Sequence, residues 1–497
     1  MKLKSLFFIV GFFLSTTGFS QNNYWSQQFG SRSSLMGGIV VGGVRDNSAL
    51  YYNPAGLAYI DSAHLNVSAN AYGMDYIQFK NGAGTDLDLT SLKILVYPQF
   101  ISGLIKFKYI PKLKLAYGLL TRYRNEIKMH ADQTYSDYPI IDDPYDSLQY
   151  YYGTFDYELS SISQWGGFSV GYKFTPFFAI GLTTFVTYTH NDGFRKTFAS
   201  ADVGHPDPDS VYMARFNSYE YNNVDHFGML WKLGFEFNWE KFKLGLTITT
   251  PNISLFGFSR IGRTLEYTNQ DKFINDSIPI GRFPSWLVAD DKGNLPTTML
   301  SPLSIAIGME YNFPKTQTRL TFTGELFFSV REYQITKSDA PVYVRPTDQY
   351  NNVTYKQPFM QLNDSHSAVL NGGIGLEQKI NGKVTMFFGA RTDFNNGYQL
   401  ANNKSILTNR LNQGYNHYLH FSGGITYKKG SSDISFGLNY GVGFTAFKRQ
   451  LINLTEPQIS ISPNGDYLAL QGFQNETIRA NVHSISIIIG YSYYMKR

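Results

Sequence analysis

The chain has 497 residues and no cysteine, which excludes a disulfide framework, a thiolate metal site and a lipid carried on an N-terminal thiol. Aromatic residues reach 16%, led by 37 Tyr and 39 Phe, Gly numbers 45, and charged residues are only 16%, a balance that points to β-structure facing lipid. The formal charge of +5 is scattered and falls to about +3 without Lys2 and Lys4, which excludes nucleic acid as a partner.

In chain order, Lys2 and Lys4, the apolar run Leu6 to Leu14 and the small and polar residues ending Gly18-Phe19-Ser20 have the three-part layout of a signal peptide, with cleavage expected after Ser20. Residues 1–20 are therefore read as an export leader, 21–63 as a separate N-terminal segment and 64–497 as one large unit. No later stretch approaches the roughly 18 to 20 uninterrupted apolar residues of a membrane-spanning helix.

From residue 64 onward the chain alternates apolar and polar residues with period two. Leu320, Phe322, Leu326, Phe328 and Val330 oppose Arg319, Thr321, Thr323, Glu325, Ser329 and Arg331. A helix would scatter these residues round its axis, so the segment is a strand. Strands of this kind are predicted near 64–80, 92–108, 112–128, 155–173, 177–190, 222–238, 241–256, 299–313, 317–333, 366–379, 382–397, 414–428, 431–447 and 481–495. Short turns at Ile110-Pro111, Thr175-Pro176, Trp239-Glu240, Pro314-Lys315-Thr316, Asn381-Gly382 and Lys429-Gly430 alternate with long polar connections. An even number of strands, with short and long connections in strict order, is the grammar of a transmembrane antiparallel β-barrel. The fold class is all-β, a barrel of about 14 strands.

So wide a barrel cannot fill its lumen with wall side chains, so the pore is either water-filled or occluded. Residues 21–63 are the segment available to occlude it. Gly37, Gly38, Gly42 and Gly43 suit close passage along a wall and positive φ, and Asn53-Pro54 favours a turn because the residue before proline is driven out of the helical region. The stretch Gly37 to Ala58, with the core Asp46-Asn47-Ser48-Ala49-Leu50-Tyr51-Tyr52-Asn53-Pro54-Ala55-Gly56-Leu57, resembles the N-terminal plug, or hatch, of the outer-membrane long-chain fatty acid and hydrocarbon transport family. Tyr97-Pro98-Gln99-Phe100, Trp231-Lys232-Leu233-Gly234, Leu244-Gly245-Leu246 leading to Thr250-Pro251, and Leu295-Pro296 resemble that family's strand phrases in the same order.

The resemblance implies a hatch at Asn53, Pro54 and Ala55, and an integral protein of the outer membrane of a Gram-negative cell. It also implies passage of hydrophobic small molecules such as long-chain fatty acids, with lateral release through the wall. The implied partners are that ligand, outer-membrane lipids and, during biogenesis, the barrel assembly machinery. The final strand resembles the signal read by that machinery, although Met495-Lys496-Arg497 follow its last aromatic residue.

Candidate ligand contacts are Phe194, Phe198, Val211, Met213 and Phe216 in one long connection and Phe283, Trp286, Leu287 and Val288 in another. Lys114, Arg122, Arg124, Glu126 and Lys128 alternate along the third strand, and Arg122 and Arg124 are candidates for a carboxylate headgroup. No HExxH, paired-His or GxSxG pattern occurs, so neither a metal, a cofactor nor an enzymatic activity is expected. Asp137, Asp142, Asp143 and Asp146 do not have the spacing of an EF-hand calcium loop. Two other readings remain open from sequence: a noncatalytic barrel subunit of a protein secretion or surface-attachment machine, and an open diffusion porin.

Overall fold

The computed structural model describes residues 20–60, 64–140, 148–204, 212–268, 286–336, 342–344, 356–358, 362–397, 409–410, 417–448, 450–458, 470–475 and 478–495. The leader expected over 1–20 thus lies almost wholly outside the described residues, as do Val211 and Phe283.

Fourteen antiparallel strands form the wall: β1 (His64–Gly84), β2 (Leu87–Lys106), β3 (Leu113–Ser136), β4 (Gln149–Thr175), β5 (Phe178–Val203), β6 (Tyr212–Asn238), β7 (Phe242–Thr249), β8 (Ser304–Phe313), β9 (Thr318–Phe327), β10 (Val369–Lys379), β11 (Val384–Asp393), β12 (His417–Lys429), β13 (Ser432–Lys448) and β14 (Ile478–Tyr494). Each pairs with its neighbours in sequence, and β14 returns to β1 from His64↔Tyr494 to Phe79↔Ala480, so the sheet closes without a free edge. Every predicted strand is present, and every predicted short turn falls between two of them.

The alternation sorts residues between lipid and lumen. On β13, Ile434, Phe436, Leu438 and Tyr440 stand exposed on the outside while Ser435 and Asn439 are buried within. Burying the apolar set would leave polar side chains in hydrocarbon, so this orientation is the one a bilayer selects. An aromatic girdle marks the short-turn end. Phe178 lies 5.0 Å from Phe237, Trp239 lies 5.7 Å from Phe242, and Tyr311 lies 4.7 Å from Phe313, measured between ring centroids.

Three departures from strict alternation matter. The expected strand 241–256 stops at Thr249, because Thr250-Pro251 ends the ladder. Its continuation, Ile253–Thr268, pairs instead with the upper half of β6 and carries Trp286–Pro296 on its far side. Secondly, the segments 129–154 and 191–221, expected as long loops, are largely strand. β3 to β6 run on in register from Tyr123↔Ser163 to Ser136↔Tyr150 and from Ser163↔Thr189 to Gln149↔Val203. A bilayer needs only about 9 to 11 tilted residues per strand, and the 27-residue β4 and β6 stand well above that height. Thirdly, a β-bulge at Arg122 reverses the alternation of β3.

The N-terminal segment holds two short helices, α1 (Ser31–Leu35) and α2 (Ala49–Tyr52), and a 3-10 turn, Pro54–Tyr59. Phe29, Leu35, Met36, Val40, Leu50 and Leu57 are fully buried and share one apolar cluster with Phe100, Leu120, Phe185 and Leu230 of the wall. At the long-connection end, Ile452, Leu454 and Leu470 are buried among the strand tops, and Leu454 N donates to Ala83 O at 2.7 Å.

Candidate functional site

The residues of the N-terminal segment reach inward-facing groups on all fourteen strands. Asn66 of β1 donates to Ser31 Oγ at 3.0 Å, Asn47 donates to Ser102 O of β2 at 3.4 Å, and Leu50 packs on Gly118 of β3. Leu57 covers Gly171 of β4, Thr183 of β5 donates to Leu50 O at 2.7 Å, and Asn53 donates to Phe235 O of β6 at 3.1 Å. Thr247 of β7 donates to Tyr52 O at 2.8 Å, Gly42 lies on Gly308 of β8, and Trp25 Nε1 donates to Glu325 Oε2 of β9 at 2.7 Å. Arg32 pairs with Glu377 of β10 at 2.5 Å, and Arg391 Nε of β11 donates to Trp25 O at 3.0 Å. Leu35 sits over Gly424 and Gly437 of β12 and β13, and Ser31 over Gly490 of β14.

The four glycines divide the work expected of them. Gly37 and Gly38 take positive φ, 66° and 76°, whereas Gly42 and Gly43 do not; at these two a Cβ would collide with the Gly308 backbone and the Glu310 side chain. The triplet is equally specific. Asn53 is extended, with φ −156° and ψ 100°, as a residue before proline must be. Its Oδ1 accepts from Ala55 N at 3.2 Å and so caps the 3-10 turn, while Nδ2 donates to Val41 O at 3.0 Å and to Phe235 O. Pro54 presses against Gly181 and Gly234, where no side chain could stand. Asp46 joins the helices by accepting from Ser33 Oγ at 3.2 Å and Ser48 N at 3.0 Å. Tyr52 donates to Gln28 Oε1 at 2.8 Å and accepts from Phe29 N at 2.9 Å, and burial holds its phenol well above the ordinary tyrosine pKa.

Toward the short turns, Arg32 and Arg45 meet Glu310, Glu377 and Arg319. Arg45 bonds Glu310, Arg319 bonds Glu377, Arg32 Nε donates to Glu377 Oε2 at 2.7 Å, and Arg45 Nη1 lies 3.8 Å from Glu377. Each carboxylate in this group serves more than one guanidinium, as buried charge requires.

On the other side of α2 lies a cavity floored by Tyr24 and Tyr51 and walled by Trp165, Leu230, Met299 and Phe327. Two cations enter it, Arg122 and Lys232, each 6% exposed. Lys232 Nζ stands 4.3 Å from the centroid of the Tyr51 ring, and the Arg122 guanidinium lies 5.8 Å from Tyr51 and 5.7 Å from Trp165. Arg122 donates to Tyr24 O, yet its Nη1 is buried without an acceptor, and neither cation has a carboxylate partner among the described residues. The nearby Glu325 is engaged by Trp25 and by Ser304 Oγ at 2.6 Å. Ring contacts supply about 0.5 to 2 kcal/mol each, which falls short of the cost of burying an unpaired charge. Glu325 and Asp364 also line the cavity, so it offers charges of both signs, the two cations without an ion pair among the described residues, beside apolar and aromatic surface.

The wall is interrupted beside this cavity. The β2–β3 ladder runs from Lys106↔Lys114 to Phe100↔Leu120 and ends there, although both strands continue. Pro98 has no N–H to give, an extra residue at Gln99 shifts the β1–β2 register, and the β3 bulge at Arg122 faces it. Beyond this point side chains bridge the strands: Thr121 Oγ1 donates to Pro98 O at 3.0 Å, and Lys128 N donates to Ser91 Oγ at 3.0 Å. A second cavity opens at the wall here, bordered by Phe100, Leu120 and Trp165 together with outward-facing Ile101, Leu119 and Val186. Trp165 borders both spaces.

Of the expected ligand contacts whose side chains are described, only Arg122 lines the first cavity. The bulge puts Lys114 and Arg122 inward but turns Arg124, Glu126 and Lys128 the other way; Arg124 pairs with Glu126 at 2.7 Å and packs over Tyr97. Phe194 and Phe198 lie on the outer face of β5 above the apolar band, 6.2 Å from Tyr219 and 6.3 Å from Tyr152 respectively. Phe216 is buried in the apolar cluster of the strand tops. Trp286 and Leu287 begin the strand paired to Tyr267 and Glu266. Lys232 was passed over because it reads as ordinary alternation in Trp231-Lys232-Leu233, and the signal that could have singled it out is a lysine on a lumen face beside Gly234.

No family model matches the chain, and no curated protein matches it by sequence. Solved structures do match it over nearly its whole length. A FadL homologue of Pseudomonas aeruginosa is 11% identical with a TM-score of 0.55, covering 97% of this chain and 100% of that one. The toluene transporter TodX of P. putida is 13% identical with a TM-score of 0.54, over 95% and 99% of the two chains. The toluene transporter TbuX of Ralstonia pickettii is 12% identical with a TM-score of 0.51, over 94% and 99%. This chain is thus a closed 14-stranded antiparallel barrel, similar in fold to the FadL homologue and the toluene transporters.

Proposed function

We infer that the chain is an integral outer-membrane channel for hydrophobic small molecules, that residues 21–63 act as its hatch, and that long-chain fatty acids are its substrates. The observation that carries this reading is the placing of two buried cations, neither in an ion pair among the described residues, with aromatic walls in one cavity beside a break in the barrel ladder. A carboxylate headgroup answers Arg122 and Lys232, and an alkyl chain answers Trp165, Leu230 and Phe327. Contacts from 24–60 to every strand argue for obstruction rather than free diffusion, so an open porin fits poorly. A scaffold subunit gives the two cations nothing to do.

Release is lateral in this reading, between β2 and β3. The chain has no cysteine, so the pair Pro98→Cys and Thr121→Cys forms a single staple across the end of the ladder. In proteoliposomes the oxidised variant should lose transfer of palmitate into the bilayer and regain it on reduction, while binding palmitate in both states. Equal transfer in both states would remove the lateral route, and absence of palmitate binding by the unaltered chain would remove the transport reading.

A further inference from the structure

The short-turn end of the wall, which faces the periplasm in barrels of this kind, carries exposed charge of almost one sign. Between β2 and β3, Lys108 and Lys112 flank Tyr109 and Ile110, which are 92% and 50% exposed. Lys241 follows exposed Trp239 between β6 and β7, and Lys315 follows exposed Phe313 between β8 and β9. Lys379 and Lys383 enclose exposed Ile380 between β10 and β11, and Lys428 and Lys429 follow exposed Tyr427 between β12 and β13. All these lysines are exposed, none forms an ion pair among the described residues, and Glu240 is the one acid in the short turns. In the remaining turn Phe174 and Phe177 are exposed, while Lys173 before them is drawn over the Tyr59 ring at 4.9 Å. The long-connection end differs, because charges there answer one another: Lys128 lies 3.4 Å from Glu158, and Arg260 lies 2.5 Å from Asp291.

We propose that this rim of lysines binds the phosphate headgroups of anionic phospholipid in the periplasmic leaflet. The proposal needs only the membrane-spanning wall and stands apart from the transport reading. Two observations select the occupant. At each of these five turns the lysine comes with an exposed aromatic or aliphatic side chain. That combination fits the boundary between headgroups and acyl chains, where the apolar group and the lysine stem lie in lipid and the ammonium reaches the phosphates. The cations are also spread round the mouth, on five of the six short turns, instead of gathering on one side. A docked protein covers one patch, whereas a leaflet surrounds the whole rim. Each ammonium near an anionic surface adds a small attraction, and their sum makes anionic lipid the preferred neighbour of this end of the barrel.

The test uses the full chain in mild detergent with equal amounts of phosphatidylglycerol and phosphatidylcholine of the same acyl chains, and mass spectrometry of the intact complexes counts the lipids retained. Phosphatidylglycerol should be retained about tenfold over phosphatidylcholine. Changing Lys379, Lys383, Lys428 and Lys429 to Gln should lower that ratio roughly threefold, as should changing Lys108, Lys112, Lys241 and Lys315, and the two sets together should bring it near one. The same positions changed to Arg should keep the ratio, which separates charge from a folding defect. Equal retention of the two lipids by the unaltered chain, or an unchanged ratio in both Gln sets, overturns the proposal. Loss carried wholly by one set overturns it too, because the site is then a patch and not a rim. Poly-glutamate that binds equally well in phosphatidylcholine and phosphatidylglycerol nanodiscs assigns the lysines to an acidic polypeptide partner and likewise overturns it.

Discussion

Two groups of lumen cations lie on opposite sides of α2, and they differ in their carboxylate partners. Arg32, Arg45 and Arg319 share Glu310 and Glu377, whereas Arg122 and Lys232 share no carboxylate. Placement in the lumen is common to both groups, although Arg32, Arg45 and Arg319 are 15%, 27% and 22% exposed and Arg122 and Lys232 only 6%. The first group is accounted for by its ion pairs, whereas the second has none among the described residues, which makes it the candidate to meet a ligand.

The comparison breaks most severely at Glu377. Glu377→Gln leaves Arg32, Arg45 and Arg319 with Glu310 alone, and uncompensated buried charge costs about 3 to 5 kcal/mol. The N-terminal segment should loosen before the barrel does, so trypsin should cut folded protein at Arg32 or Arg45, sites that resist it in the unaltered chain. Equal resistance would show that the ion pairs do not hold the segment. The companion change in the other group should act in the opposite sense. Arg122→Met with Lys232→Met removes charges that have no ion pair among the described residues, so stability to denaturant should stay level or rise, while palmitate affinity falls roughly 10- to 100-fold, the worth of charge-assisted hydrogen bonds. Hexadecanol, with the same chain and no charge, should bind both forms alike. Loss of affinity for the alcohol as well would mean that the cations shape the cavity rather than read the headgroup.

Asn53 tests whether the segment is held by more than charge. Asn53→Ala removes its bonds to Val41 O, Phe235 O and Ala55 N, and buried groups left unsatisfied cost about 1 to 3 kcal/mol. Amide exchange over 54–60 should quicken, with β6 unaffected away from Phe235. Unchanged exchange there would make Pro54 against Gly181 and Gly234 the sufficient anchor.

Much of this molecule was legible in its sequence, and the failures have physical causes. Wall strands declare themselves because lipid outside and polar lumen inside force a period of two, and short turns punctuate them. The N-terminal segment was legible through Asn53-Pro54 and the paired glycines, whose geometry admits few substitutes. Alternation misled at Arg122, where one inserted residue exchanged the two faces of β3. Pro98 within an otherwise regular strand was the available sign that the neighbouring ladder stops. The upper parts of β3 to β6 over 129–154 and 191–221 read as loops, because their outer faces carry His130, Asp132, Asp192 and Lys196 rather than an apolar stripe. Lys232 pairs with nothing near it in sequence, and only the closed barrel brings it to Tyr51 and within one cavity of Arg122.

The smallest expected effects lie with residues that the sequence nominated and the fold set apart. Arg124 has its carboxylate in Glu126 and faces away from the cavity, and Phe198 stands on the outer face beside Tyr152. Surface pairs of this kind contribute about 0 to 1 kcal/mol, and neither side chain borders the space where a ligand would sit. Arg124→Met and Phe198→Ser should therefore change palmitate affinity by less than about twofold, against the much larger loss at Arg122 only two residues away. A drop at Arg124 comparable to that at Arg122 would mean that the bulge relaxes when ligand binds, restoring plain alternation to β3 and bringing both arginines into the lumen. The distinction between paired and unpaired cations would then describe the empty channel alone.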